Sequence, residues 1–86
     1  WYRNLTRNWR LMAPWHGRPI AQPSLFIAGS RDGVLRFPAS MQQIEAFPRT
    51  LPGIRGCHII EGPGHWVQQE SPAEVNRLLL AFLAGL

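Results

Sequence analysis

Hydrophobic positions along the chain alternate between the spacing of α-helices and that of short buried strands. Apolar residues recur every three or four positions over Tyr2–Met12, again over Pro38–Phe47, and once more after Pro72. Each of these segments therefore predicts a helix with one apolar face. The first helix should end by Ala13, because a proline follows and disfavours helical geometry in the residue before it.

Two short apolar runs, Leu25–Ala28 and Cys57–Ile60, are bounded by turn residues and predict strands. The first is continuously apolar, as in a strand that is buried on both faces, and Cys57 at the start of the second should be a buried, inert thiol. A connector rich in proline and glycine, residues 14–23, separates the first helix from the first strand. Strand, helix and strand in this order predict a βαβ unit, so the fold class is α/β with parallel strands.

The helix between the strands and the last helix carry further local signals. In the former, the residues expected to face inward are Phe37, Met41, Ile44 and Phe47, and those expected to face outward are Ser40, Gln42, Gln43 and Glu45. The last helix opens on the sequence 71–74, Ser-Pro-Ala-Glu, which has the form of a capping box with proline at the first helical position. Gly85 is a natural stop for that helix.

Two titratable side chains follow directly on the predicted strands. Asp32, the only aspartate in the chain, lies in the turn after the first strand, and His65 follows the Gly62-Pro63-Gly64 loop after the second. The carboxyl ends of parallel strands are where open α/β sheets place their chemistry. Such a histidine can act as a general base while the carboxylate holds its tautomer. Taken alone, His65 is equally compatible with a loop histidine that has no role.

Composition excludes several classes of function. The chain has 86 residues and a net charge of +4, with nine arginines and no lysine, but the arginines are scattered, so we do not expect nucleic-acid binding. No apolar run approaches the length of a membrane span. A single cysteine excludes an internal disulfide, and neither metal-ligand spacing nor a phosphate-binding loop is present, so no metal or cofactor is expected. We expect a cytoplasmic location.

A Gly-His-Trp motif with a glutamine two residues on is followed by Pro-x-Glu-Val-Asn. With the Gly-Ser-Arg-Asp turn after the first strand, this order resembles the C-terminal part of an α/β-hydrolase fold, and more narrowly it is similar to the soluble epoxide hydrolases. The opening Trp1-Tyr2-Arg3-Asn4 resembles the last helix of that family's cap domain and favours epoxide hydrolases over haloalkane dehalogenases or serine esterases. The matched motif residues are Gly64, His65, Trp66, Gln68, Pro72, Glu74, Val75 and Asn76.

The resemblance implies three segments: residues 1–13 as the last cap helix, residues 14–23 as the connector, and residues 24–86 as the C-terminal part of a core with an incomplete sheet. It also implies that Asp32 and His65 are the acid and the histidine of a catalytic triad. Tyr2 takes the place of a cap tyrosine that donates a hydrogen bond to the epoxide oxygen. The residues expected in the wall of the substrate pocket are Val34, Leu35 and Trp66.

The family's nucleophilic aspartate has no counterpart in the chain, because Asp32 is its only aspartate and no Gly-x-Ser-x-Gly elbow is present. The chain therefore resembles a C-terminal piece of an enzyme that converts epoxides to vicinal diols through an ester on an upstream aspartate, and alone it should be inactive. Its expected partners are the epoxide in that parent and either the upstream half or further copies of itself. The alternatives are an inert, self-associating fragment and part of another α/β-hydrolase, such as a haloalkane dehalogenase or esterase.

Overall fold

The computed structural model describes residues 2–86, so Trp1 of the opening motif lies outside the described residues. A 3-10 turn at Tyr2–Asn4 leads into helix α1, Leu5–Leu11, and a second 3-10 turn follows at Ala13–Trp15. The prediction that the helix ends by Ala13 is confirmed. Pro14 lies inside the second turn, where its missing N–H is tolerated.

The two predicted strands form a parallel pair. Strand β1 is Ser24–Gly29 and strand β2 is Ile54–Ile60, with Leu25 opposite Gly56 and Gly29 opposite Ile60. The second strand begins three residues earlier than its apolar run indicated, because pairing with β1 extends it through Arg55 and Gly56, which interrupt the apolar pattern, to Ile54. The predicted α/β class is confirmed.

The helix between the strands is shorter than predicted and is followed by another. After a 3-10 turn at Gly33–Arg36, helix α2 is Pro38–Glu45 and the short helix α3 is Phe47–Thr50. The break is explained by Pro48, which has no N–H to continue the hydrogen bonds of α2 and starts a new helix instead.

The chain ends in helix α4, Val67–Glu70, and helix α5, Pro72–Ala84, with Gly85 as the predicted stop. The predicted capping box is wrong. Ser71 occupies the N-cap position, but its side chain makes no capping hydrogen bond. Glu74 instead accepts hydrogen bonds from the guanidinium of Arg77, a charged donor that forms stronger hydrogen bonds than a backbone N–H.

A small core forms where α4 packs against β1 and α5. The buried apolar residues of the described chain are Ala28, Val67, Val75 and Leu78. Beside them, the rings of Phe26 and Phe47 are tilted against each other with centroids 5.1 Å apart. Residues 2–23 are all exposed, so the core belongs to the segment from β1 onward.

Several side chains that were expected to be buried are exposed. Cys57 is exposed, which corrects the prediction of a buried thiol. Strand β2 alternates between exposed and half-buried residues, because one of its faces is not covered by another element. Phe37 and Met41, expected to face inward, are exposed as well. No helix within residues 2–86 is long and apolar enough to span a membrane.

Candidate active site

Asp32 is held at the carboxyl end of β1 by the turn that it caps. Its backbone N–H donates to the carbonyl of Gly29 at 3.0 Å. Its Oδ1 accepts a hydrogen bond of 2.9 Å from the backbone N–H of Val34, so the carboxylate caps the 3-10 turn at Gly33–Arg36. Aspartate is favoured here because its short side chain reaches the backbone two residues on.

The loop before His65 lies directly against the end of β1. The backbone N–H of Arg31 donates to the carbonyl of Pro63 at 2.9 Å, and Pro63 itself is buried. A Cβ on Gly29 would overlap the carbonyl oxygens of Pro63 and Gly64, so only glycine fits at this point of β1. Gly62 has φ +111°, which favours glycine and turns the chain sharply after β2.

These two loops bring Asp32 and His65 together. The Nδ1 of His65 lies 2.9 Å from Oδ2 of Asp32. Donation of Nδ1–H to the carboxylate leaves the lone pair of the imidazole on Nε2, the tautomer that a general base requires. The Asp32 side chain is only 12% exposed, whereas that of His65 is 62% exposed and open to a reactant.

The hydrogen bond from the N–H of Val34 to Asp32, followed by the one from His65, lowers the pKa of the Asp32 carboxyl below its ordinary value of 3.8. Both donors favour the ionised form of the carboxylate. Asp32 therefore stays negatively charged at neutral pH and can stabilise a protonated His65.

Asp32 and His65 border a cavity of about 320 Å³ that has a mainly apolar wall. Strand β1 forms one side, and α2 and α4 contribute the others. The remaining lining residues are Phe26, Ile27, Ala28, Val34, Leu35, Ser40, Gln43, Ile44, Phe47, Val67 and Gln68. The volume is sufficient for a small organic molecule. Within residues 2–86, no three histidine, cysteine, aspartate or glutamate side chains cluster in a way that could hold a metal ion.

Comparison with known proteins shows which proteins the chain resembles. No family model matches the chain. Epoxide hydrolase B of Mycobacterium tuberculosis is 45% identical over 85 residues, which are 99% of this chain and 23% of that protein. The structure of an epoxide hydrolase from an endophytic Streptomyces is 52% identical and superposes with a TM-score of 0.90, over 98% of this chain and 25% of that one.

The chain matches epoxide hydrolases. Potato epoxide hydrolase I is similar too, with 33% identity and a TM-score of 0.90 over 99% of this chain and 27% of that one. The predicted resemblance to part of an α/β-hydrolase-fold epoxide hydrolase is therefore confirmed. The chain spans about a quarter of the length of the epoxide hydrolases that it matches.

The predicted site residues differ in where the structure places them. Asp32 and His65 form a pair, and Val34 and Leu35 line the cavity next to it. Trp66 does not line this cavity: it is 59% exposed, and its ring lies edge-on to the imidazole of His65 with centroids 5.4 Å apart. Tyr2, at 80% exposure, does not line the cavity either.

Sequence reasoning missed two polar residues of the cavity. Ser40 and Gln43 were expected to face outward, but both line the cavity with Ile44. These three residues lie on one face of α2, because positions three and four apart in a helix are neighbours. That spacing is a signal in the sequence, although serine and glutamine are exposed more often than not.

Proposed function

We propose that the chain provides the acid and the histidine of the catalytic triad of an epoxide hydrolase, together with one tyrosine that assists ring opening. Asp32 is the acid, His65 the general base and Tyr2 the tyrosine. The observation that carries the proposal is the 2.9 Å contact between His65 Nδ1 and Asp32 Oδ2 at the edge of an apolar cavity. The similarity to epoxide hydrolases over nearly the whole chain supports the choice of reaction.

The first step of the proposed reaction is ring opening. A carboxylate oxygen of an aspartate outside this chain attacks an epoxide carbon and forms an ester as the carbon–oxygen bond of the ring breaks. The oxygen that leaves carries developing negative charge, and the hydroxyl of Tyr2 donates a hydrogen bond to it. Tyr2 is 80% exposed in this chain, so its hydroxyl is accessible for such a role.

The second step is hydrolysis of the ester, and it uses the pair that this chain holds. The Nε2 of His65 accepts a proton from a water molecule as that water attacks the ester carbonyl. The charge that develops on the imidazole is stabilised by Asp32, as in other acid–histidine pairs. Collapse of the tetrahedral intermediate breaks the bond to the alcohol oxygen, which leaves with the proton of the added hydroxyl and restores the aspartate carboxylate. The proton held by His65 passes to the oxygen that ring opening had freed, which completes the diol and restores the neutral imidazole.

The cavity favours a mainly apolar epoxide. We propose Val34 and Leu35 as wall residues, and Ser40 and Gln43 as the polar groups of α2 that contact the substrate. We do not propose Trp66 as a wall residue, since it does not line the cavity; its ring instead packs edge-on against the imidazole of His65.

The proposal is tested by single-turnover kinetics of the intact protein that contains this chain. We expect His65→Ala to form the ester normally and then to accumulate it, because the base for the second step is missing. We expect Tyr2→Phe to slow ester formation about a hundredfold, the usual effect of losing one such donor, and to leave ester hydrolysis unchanged.

His16→Ala is the matched control, since His16 is exposed and lies far from the pair in sequence. Ester hydrolysis that proceeds at the same rate in His65→Ala would overturn the role of His65. Unchanged ester formation in Tyr2→Phe would overturn the role of Tyr2. We further expect the 86-residue chain alone to form no diol, since its only aspartate is already paired with His65.

A further inference from the structure

The three residues before His65 have their backbone polar groups bound from two sides. On one side, Gly62 N–H donates to Oγ of Ser30 at 2.8 Å, and Pro63 C=O accepts from the N–H of Arg31 at 2.9 Å. On the other, the N–H of Gly64 donates to Oε2 of Glu70 at 3.0 Å. The bond to Glu70 is the only one of the three that comes from beyond the histidine.

Glu70 is the last residue of the one-turn helix α4, and its carboxylate reaches back to the loop before His65. A Cβ on Gly64 would lie 3.3 Å and 3.7 Å from the two carboxylate oxygens, which shows how closely the carboxylate approaches that glycine.

His65 is consequently fixed on both sides along the chain. The residue before it is bound by the side chain of Glu70, and the carbonyl of Trp66 after it accepts from the N–H groups of Gln69 and Glu70 at 2.9 Å and 3.0 Å. The segment from Gly64 to Glu70 is thus a closed loop with the histidine inside it. A carboxylate is a stronger acceptor for a backbone N–H than a neutral group.

We propose that Glu70 is a positioning residue for His65, which acts by holding Gly64 so that the imidazole meets both Asp32 and the reacting water. This inference rests on the proposed function of His65 as the general base of ester hydrolysis. A displacement of about 1 Å at a catalytic group can cost about a hundredfold in rate. Loss of Glu70 should therefore affect the step that uses His65 and spare the step that does not.

The test measures both steps by single-turnover kinetics in the intact protein. We expect Glu70→Ala to slow ester hydrolysis about tenfold to a hundredfold and to leave ester formation unchanged. Glu70→Gln retains an oxygen acceptor and should stay within about threefold of the wild type. The control is Gln69→Ala, on the same helix, which should change neither step.

A second measurement follows the contact itself, independently of activity. Hydrogen exchange at the Gly64 amide should accelerate about tenfold or more in Glu70→Ala and less in Glu70→Gln, while exchange in β1 stays unchanged. Slowing of both steps by the same factor, or of neither, in Glu70→Ala would overturn the inference. If His65→Ala also failed to slow ester hydrolysis, the proposed function of His65 would be wrong as well. If His65→Ala slows it and Glu70→Ala does not, only the role of Glu70 is wrong.

Discussion

The two oxygens of Asp32 make two separate hydrogen bonds. Oδ1 accepts from the N–H of Val34, and Oδ2 accepts from His65, each at 2.9 Å. The first bond is part of the turn that Asp32 caps, so the carboxylate is oriented by its own loop as well as by the histidine. Both bonds favour the ionised carboxylate, which suits a residue that must hold a charged imidazole.

The lowered pKa of Asp32 predicts a loss of stability in acid. A carboxyl whose pKa is lower in the folded than in the unfolded state stabilises the fold above its unfolded value, here about 3.8, and loses this contribution as the pH falls through the folded pKa. We therefore expect the free energy of unfolding of the wild type to exceed that of Asp32→Asn at neutral pH, and the difference to shrink below about pH 4.

Chemical denaturation of the wild type and of Asp32→Asn from about pH 7 to about pH 2.5 measures this difference. Glu74, whose pKa is lowered by the hydrogen bond from Arg77, titrates in both proteins and cancels in the comparison. A difference that stays constant over the whole range would contradict the prediction.

At the scale of elements, helix α5 is held by packing rather than by a cap. The Ser71 side chain makes no capping hydrogen bond, whereas Val75 and Leu78 are 6% and 8% exposed against the rest of the core. Proline at the first helical position supplies part of what a cap would add, since its ring presets the helical φ and it has no N–H to satisfy.

This contrast predicts that two substitutions in one helix have very different costs. Ser71→Ala should lower the free energy of unfolding by less than about 0.5 kcal/mol. Removal of a serine that does form a capping hydrogen bond would lower it by about 1 kcal/mol. Val75→Ala should cost about 1.5 kcal/mol or more, because it removes buried methyl groups and leaves a cavity. Equilibrium unfolding in denaturant measures both free energies. A loss of about 1 kcal/mol in Ser71→Ala would show that Ser71 does cap the helix.

In the whole molecule, helix α1 exposes apolar side chains and strand β1 has an unpaired edge. Helix α1 and its flanking turns show Leu5, Trp9 and Met12, each more than half exposed. Strand β1 pairs with β2 along one edge only, within a sheet of two strands among the described residues. Its outer edge therefore presents unpaired backbone groups next to apolar side chains, and such edges readily pair with another chain.

We accordingly expect the 86-residue chain by itself to form a dimer or larger oligomer that buries the outer edge of β1 or the apolar face of α1. In a longer protein, further residues of the same polypeptide would cover these surfaces instead. Sedimentation of the isolated chain at micromolar concentration measures the outcome, with the intact protein as the comparison. A well-folded monomer of 9.8 kDa would contradict the expectation.

Features that depend only on neighbouring residues could be predicted from the sequence. The ends of α1 and α5 follow from proline and glycine, whose effects on the backbone are local. The positions of Asp32 and His65 just beyond two apolar runs were also visible, and the parallel order of the strands then brings the two side chains to one edge of the sheet. For this reason the acid–histidine contact could be predicted from the chain alone.

Which faces of the helices and strands are covered depends on how the elements pack together. Ser40 and Gln43 line the cavity because that side of α2 borders the space next to β1. Cys57 is exposed because β2 has an uncovered face, although its run of apolar residues indicated burial. These outcomes depend on which elements pack against each other, and elements that are distant in sequence meet only in the folded chain.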